Sequence, residues 1–104
     1  YSASGATPDP KLITRYTMER FEGYGPFWYG HHAAFIYDHN RSIAKVKRPT
    51  LVLTNTGDMI YEAAKQTHAM RPDFHFTELQ GGGIDIVDQQ PDAWSDAVVS
   101  FLKS

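Results

Sequence analysis

The feature that most constrains this chain is a change of pattern at Pro49, after which strand and helix segments alternate. Residues 50–54 form a short apolar, β-branched run typical of a strand buried on both faces. A helical segment over 60–70, an alternating segment over 73–79 and an amphipathic helix from Pro91 follow. Because strand–helix–strand crossovers build parallel sheets, the pattern predicts an α/β fold class.

Two parallel strands alone leave both sheet edges open and both faces in need of cover. They make a poor independent domain. We therefore expect the strand–helix–strand–helix part, residues 43–104, to be the end of a larger sheet whose other strands lie outside these 104 residues. The start at Tyr1 rather than at a methionine agrees with this expectation of a fragment.

Residues 1–42 have a different character, with helical spacing over 11–22 and again over 27–37. Eight of the fourteen aromatic residues lie between Tyr16 and Tyr37. So many aromatic side chains in a short segment must be buried against a core, a partner or a ligand. The sequence leaves two roles open for them, which are packing in a core and lining a pocket for an apolar ligand.

Composition excludes several classes of function. The absence of cysteine removes thiol nucleophiles, disulfides and cysteine-based metal sites, and indicates the cytoplasm as the default compartment. A net charge of −2 argues against a nucleic-acid partner, and no apolar run is long enough to span a membrane. The glycines at 81–83 lack a phosphate-loop pattern, and the histidines lack metal-ligand spacing, so we predict neither cofactor nor metal.

The order and spacing of five segments along the second half carry a family resemblance. These segments are Pro49–Leu53, Gly57-Asp58, Glu78-Leu79, Asp88–Trp94 and Phe101-Leu102. Together they resemble the C-terminal third of an α/β-hydrolase. The resemblance implies that residues 43–104 are the C-terminal part of the hydrolase core and that residues 1–42 are its helical cap or lid.

The resemblance also implies site residues. Asp58 matches the acid of a Ser-His-Asp triad, which would hold a histidine in the correct tautomer and stabilise its charged form. A purely structural role for Asp58, as a turn or capping residue, stays open beside it. The position expected to carry the histidine is Ile84, which can neither accept nor donate a proton.

No other residue replaces the missing parts in an obvious way. A Gly-x-Ser-x-Gly nucleophile motif is absent, so we expect the serine and the oxyanion hole outside these residues. His75 lies at the wrong end of its strand, and His68 is expected at the surface of its helix. The histidines of the cap-like segment, His31, His32 and His39, are the better candidates for a substitute base.

The function implied by the resemblance is hydrolysis of esters, lactones or similar acyl substrates that carry an apolar group. Candidate substrate-binding residues are Phe27, Trp28, Tyr29 and His32. The expected partners are the small apolar substrate and the N-terminal part of the same fold, and a homodimer stays open. Because Ile84 replaces the base, the alternative is a hydrolase-like protein that binds a small apolar ligand without turnover. A free-standing module that binds a protein through its aromatic face is the third hypothesis.

Overall fold

The structure, a computed structural model, describes residues 9–23, 25–26 and 28–104. Its chain contacts divide the protein into two compact units, with the boundary between Lys47 and Arg48. The boundary predicted from the sequence lies five residues earlier, between residues 42 and 43. The roles that it attached to the two parts, cap and hydrolase core, stay predictions.

The first unit is helical. Helix α1 spans Pro10–Glu22, α2 spans Trp28–Ile36 and α3 spans His39–Ile43. The side chain of Asp9 caps α1 by accepting a hydrogen bond from the backbone N–H of Lys11 at 2.9 Å, and Pro10 occupies the first helical turn. Asp38 caps α3 in the same way through the N–H of Arg41 at 3.1 Å.

The second unit contains both strands. Strand β1 spans Leu51–Asn55, α4 spans Tyr61–Met70, β2 spans His75–Leu79, α5 spans Ile86–Gln89 and α6 spans Pro91–Lys103. The sequence pattern predicts this order except for α5, for which it gives no helical segment between 79 and Pro91. The short helix α5 adds a second helical segment between β2 and α6.

The two strands pair in parallel, with Leu51 opposite His75 and Asn55 opposite Leu79. This confirms the predicted parallel arrangement and places the unit in the α/β class. Within the described residues the sheet has only these two strands. Both outer edges therefore lack a neighbouring strand in this part of the chain.

Helices α4 and α6 cover opposite faces of the sheet. Phe76 stacks on His68 of α4 with ring centroids 4.8 Å apart, whereas the adjacent His75 meets Phe101 of α6 at 5.2 Å. Successive residues of a strand point to opposite faces, so the two contacts assign one face to each helix. The result is a three-layer arrangement around a thin sheet.

The most buried side chains lie at the two ends of the strands. Phe74, directly before β2, is 4% exposed, and Arg71 stacks over its ring at 4.1 Å. At the other end, the last two residues of β1, Thr54 and Asn55, are 6% and 1% exposed. Burying two polar side chains at the carboxyl end of a strand is costly unless they make hydrogen bonds, which draws attention to that end.

Candidate functional site

The loops that follow β1 and β2 leave the sheet at the same edge, because the strands are parallel. We call residues 56–60 and 80–85 the carboxyl-edge loops. Three hydrogen bonds join the first loop to the end of β2 and to the second loop. The N–H of Thr56 donates to Leu79 O at 3.0 Å, the N–H of Gly57 donates to Gly81 O at 3.2 Å, and the N–H of Gly81 donates to the hydroxyl of Thr56 at 2.7 Å.

Asn55 ties the second loop to the end of β1. Its side-chain Nδ2 donates to the carbonyl oxygens of Gly81 at 3.0 Å and Gly83 at 3.2 Å. These bonds explain why a polar side chain can be 1% exposed. The sequence pattern alone does not reveal this role, because an asparagine before Thr-Gly-Asp is typical of a turn.

The two loops touch at a pair of glycines. A Cβ at Gly57 would overlap the carbonyl oxygen of Gly82 and lie 2.9 Å from its carbonyl carbon. Gly81 and Gly82 have φ values of +71° and +67°, a region that other residues rarely adopt. The glycines at 81 and 82 therefore turn the second loop, and Gly57 lets the first loop lie directly against it.

Two glutamines hold the far side of the second loop. The N–H of Gly83 donates to Oε1 of Gln89 at 2.8 Å, and Nε2 of Gln90 donates to Gln80 O at 2.8 Å. The short helix α5 therefore closes this loop against the start of α6. Backbone groups that would otherwise be unpaired at the sheet edge are satisfied by side chains.

Asp58 lies in the first loop and is half-buried. Its Oδ1 accepts a hydrogen bond from the N–H of Ile60 at 3.1 Å, and its own N–H donates to Asn55 O at 3.0 Å. This is an Asx turn, the structural role left open above. Among the described residues, Oδ2 of Asp58 has no recorded partner, so one carboxylate oxygen stays available for another group.

Ile84 lies in the second loop, next to the buried Gly83. Ile84 is 53% exposed, which is high for an isoleucine beside a buried residue. The contact between Gly57 and Gly82 puts the loops of Asp58 and Ile84 side by side. The two positions singled out from the sequence thus lie in adjoining loops at one edge of the sheet.

Three of the four candidate substrate-binding residues lie in α2. Trp28 and Tyr29 are 52% and 59% exposed and meet edge to face with centroids 4.5 Å apart. The ring of His32 lies 5.9 Å from that of Trp28, so three of the four candidates form one cluster. The fourth candidate, Phe27, lies outside the described residues.

The other histidines have varied surroundings. His39 makes a hydrogen bond through Nε2 with Ala34 O at 3.0 Å, and His31 is exposed. The expectation for His68 was wrong, because its ring is half-buried against Phe76 and its Nδ1 is buried without a hydrogen-bond partner in the described part of the chain. The helix α4 presents this residue to the sheet rather than to solvent. No group of three or more potential metal ligands occurs within residues 9–23, 25–26 and 28–104.

Two further contacts beside the sheet involve ionisable side chains and shift their pKa values. Tyr61 donates from its hydroxyl to Glu78 at 2.5 Å, which raises the pKa of Tyr61 above its ordinary value of 10.0. Arg71 makes a two-point pair with Asp73 at 2.8 and 2.6 Å, and its hydrogen bonds hold the pKa of Asp73 below the ordinary 3.8. The first contact fixes the start of α4 to β2, and the second lies in the turn that enters β2.

Comparison with known proteins identifies no relative of this chain. No protein-family model, no curated protein and no solved structure matches this chain. Across the residues that the structure describes, no helix combines the length and hydropathy needed to cross a bilayer.

Proposed function

We propose that this chain is the C-terminal part of an α/β-hydrolase-fold enzyme, with Asp58 as the acid that orients a catalytic histidine. The substrates are esters, lactones or similar acyl compounds that carry an apolar group. The observation that carries the proposal is the hydrogen-bonded pair of carboxyl-edge loops. They bring Asp58 and position 84 to adjoining loops at one edge of a parallel sheet.

Ligands of open α/β sheets bind beyond the carboxyl ends of the strands, and these loops occupy that place. The Asx turn at Asp58 uses Oδ1 and leaves Oδ2 without a recorded bond to a described residue. A carboxylate held by its own turn has little freedom to rotate away from a histidine that approaches Oδ2. This fixed orientation is what a triad acid needs.

Ile84 requires that the proton-accepting histidine come from another position. Residues 1–104 contain no Gly-x-Ser-x-Gly motif, so the nucleophile in this proposal is supplied by a segment outside them. The 104-residue chain by itself is then inactive. Under the proposal, activity belongs to a gene product that joins these residues to that segment.

The direct test is an assay of that gene product on a panel of p-nitrophenyl esters and aromatic lactones, with an Asp58→Asn variant beside it. Asparagine keeps the oxygen that accepts from Ile60, so the turn survives while the negative charge is lost. We expect kcat to fall by roughly 10²- to 10⁴-fold. The matched control is Asp92→Asn, at an exposed position of α6, and we expect it to leave kcat unchanged. Equal turnover by wild type and Asp58→Asn overturns the acid role.

A second candidate function is binding of a small apolar ligand without turnover. The exposed isoleucine at position 84 favours it, because an apolar side chain there offers contact area and no proton transfer. In that case an environment-sensitive apolar dye binds the gene product and Ile84→Ser weakens the binding, while no ester or lactone is hydrolysed. Hydrolysis with multiple turnovers excludes this alternative.

A further inference from the structure

Helix α2 presents a stripe of large side chains that the proposed hydrolase site does not use. We propose that this stripe is the interface of a symmetric dimer of the chain. In this dimer α2 packs antiparallel to α2 of a second copy, and the two His32 side chains face each other. Helix geometry, exposed area and charge each support a part of this proposal.

The stripe is symmetric about its middle residue. It consists of Trp28, Tyr29, His32, Phe35 and Ile36, all of them exposed. At about 100° per residue these positions lie within about 120° of the helix circumference, with His32 at the centre. Trp28 and Ile36 are four residues to either side of His32, and Tyr29 and Phe35 are three. The stripe reads the same in both directions, which a two-fold interface requires and an unrelated partner does not.

An antiparallel second copy makes use of this symmetry. Phe35 and Trp28 lie on one side of the midline through His32, and Ile36 and Tyr29 lie on the other. With the two His32 positions opposed, Phe35 therefore lies beside Trp28 of the second copy, and Ile36 lies beside Tyr29 of the second copy. Trp28, Tyr29 and His32, the candidate substrate-binding residues of α2, contact the second copy in this arrangement.

The exposed area of the stripe is sufficient for a small dimer interface. Phe35 and Ile36 are 86% and 70% exposed, and Trp28 and Tyr29 are each more than half exposed. At about 200 Å² for each aromatic side chain, the stripe offers about 500 Å² on each copy. Two stripes together bury about 1,000 Å², the lower limit for a specific interface.

The first unit has no core that could cover the stripe. Among its described residues, 9–23, 25–26 and 28–47, none is buried. Short helices gain most of their stability from packing an apolar face against another surface. A second copy of α2 supplies such a surface.

Charge favours the antiparallel arrangement. No Asp, Glu, Lys or Arg occurs in residues 28–37, so two stripes meet without burying a charged residue of these types. Three cations that have no recorded ion pair with a described residue follow the carboxyl end of α2; they are Arg41, Lys45 and Lys47. A parallel pair would bring the cations of both copies together, whereas an antiparallel pair keeps them at opposite ends and opposes the helix dipoles.

Sedimentation equilibrium of the 104-residue chain tests the dimer at protein concentrations from about 10 μM to about 1 mM. We expect a reversible monomer–dimer equilibrium in this range, because the interface is of the smallest specific size. Phe35→Ala weakens the dimer by at least about tenfold, in the range of interface hot spots. Phe21→Ala is the matched control, since Phe21 is 81% exposed but lies in α1, outside the stripe. It leaves the dimer unchanged.

Cysteine crosslinking tests the arrangement, and the chain has no cysteine of its own to interfere. In His32→Cys the two sulfur atoms face each other across the two-fold axis, so oxidation by diamide links the two copies. In Ile36→Cys the two positions are about 12 Å apart along the antiparallel helices, too far for a disulfide. Ala34→Cys lies about 200° around the helix from His32 and is the second control, which also stays unlinked.

Four outcomes overturn the proposal. A chain that stays monomeric up to about 1 mM leaves the stripe to a lipid surface or to another protein segment. A dimer that Phe35→Ala and Phe21→Ala weaken equally, or not at all, has its interface elsewhere. Equal crosslinking at positions 32 and 34 shows random collision, and crosslinking at position 36 shows a parallel pair. None of these measurements uses activity, so an inactive Asp58 would not affect the result.

Discussion

At the scale of single residues, the shape of the carboxyl edge of the sheet depends on a buried asparagine and on a glycine that has no room for a side chain. Asn55 is buried and makes two hydrogen bonds to carbonyls of the facing loop. Gly57 lies against Gly82 with no room for a methyl group. These residues fix the shape of the loops, and Asp58 follows directly. The geometry proposed for Asp58 thus depends on neighbours that have no chemical role of their own.

Gly57→Ala tests this dependence. The added Cβ meets backbone atoms of Gly82, which cannot move without breaking the bonds between the loops, so we expect the free energy of unfolding to fall by about 2 kcal/mol. Urea denaturation followed by circular dichroism measures the change. Gly30→Ala in α2, where a Cβ has no neighbour within 4 Å, is the control and causes no loss. An unchanged midpoint for Gly57→Ala would show that the loops do not need their close contact.

At the scale of elements, α4 is held to the sheet by two unlike contacts. Tyr61 at its start donates to Glu78, and His68 near its end stacks on Phe76. The stack leaves the buried Nδ1 of His68 without a recorded partner in the described residues. A buried polar atom of this kind costs free energy, so this part of the interface is not optimised for stability.

His68→Phe keeps a ring on Phe76 and removes the unpaired nitrogen. We expect it to raise the free energy of unfolding by about 1 kcal/mol in a urea titration. His75→Phe, at the exposed start of β2, serves as the comparison and changes stability little. A loss of stability in His68→Phe would mean that the nitrogen has a hydrogen-bond partner that the described residues do not supply.

The turn into β2 predicts a dependence of stability on pH. Hydrogen bonds from Arg71 hold the pKa of Asp73 below 3.8 in the folded protein. A lowered folded-state pKa contributes stability above the unfolded value, and the contribution is lost as pH falls through the folded value. Asp73→Asn should therefore be less stable than wild type at neutral pH and equal to it in strong acid. Urea midpoints on both sides of pH 3.8 measure this, and a difference independent of pH contradicts it.

Regular elements could be predicted from the sequence, but the contacts between loops could not. The apolar run at 50–54 and the alternation at 73–79 located both strands within two residues of their observed starts, because strand burial follows the side-chain pattern. The role of Asn55 and the close approach of Gly57 depend on which loop lies opposite, and a local pattern contains no such information. The same limit applies to His68, whose burial is set by the sheet beneath α4.

At the scale of the whole molecule, the second unit is a parallel pair of strands with a helix on each face and two unequal edges. Strand β1 has no charged residue, whereas β2 carries His75 and Glu78. Uncharged strands are typical of sheet interiors. Charged residues on an edge strand hinder its pairing with strands of other molecules. The proposed hydrolase places further strands beside β1.

The central claim is that position 84 and Asp58 belong to one hydrolytic site. The most direct measurement is the rate of p-nitrophenyl ester hydrolysis by the gene product with Ile84→His, compared with wild type and with the Ile84→His/Asp58→Asn double variant. The exposed position of Ile84 makes room for an imidazole. We predict that Ile84→His, which adds a base beside the one supplied from elsewhere, raises the rate by at least about tenfold, in the range of general-base effects. We predict that the double variant falls below wild type, because the acid that both histidines need is lost. Equal rates for all three proteins, or a gain that persists without the Asp58 carboxylate, would contradict the claim.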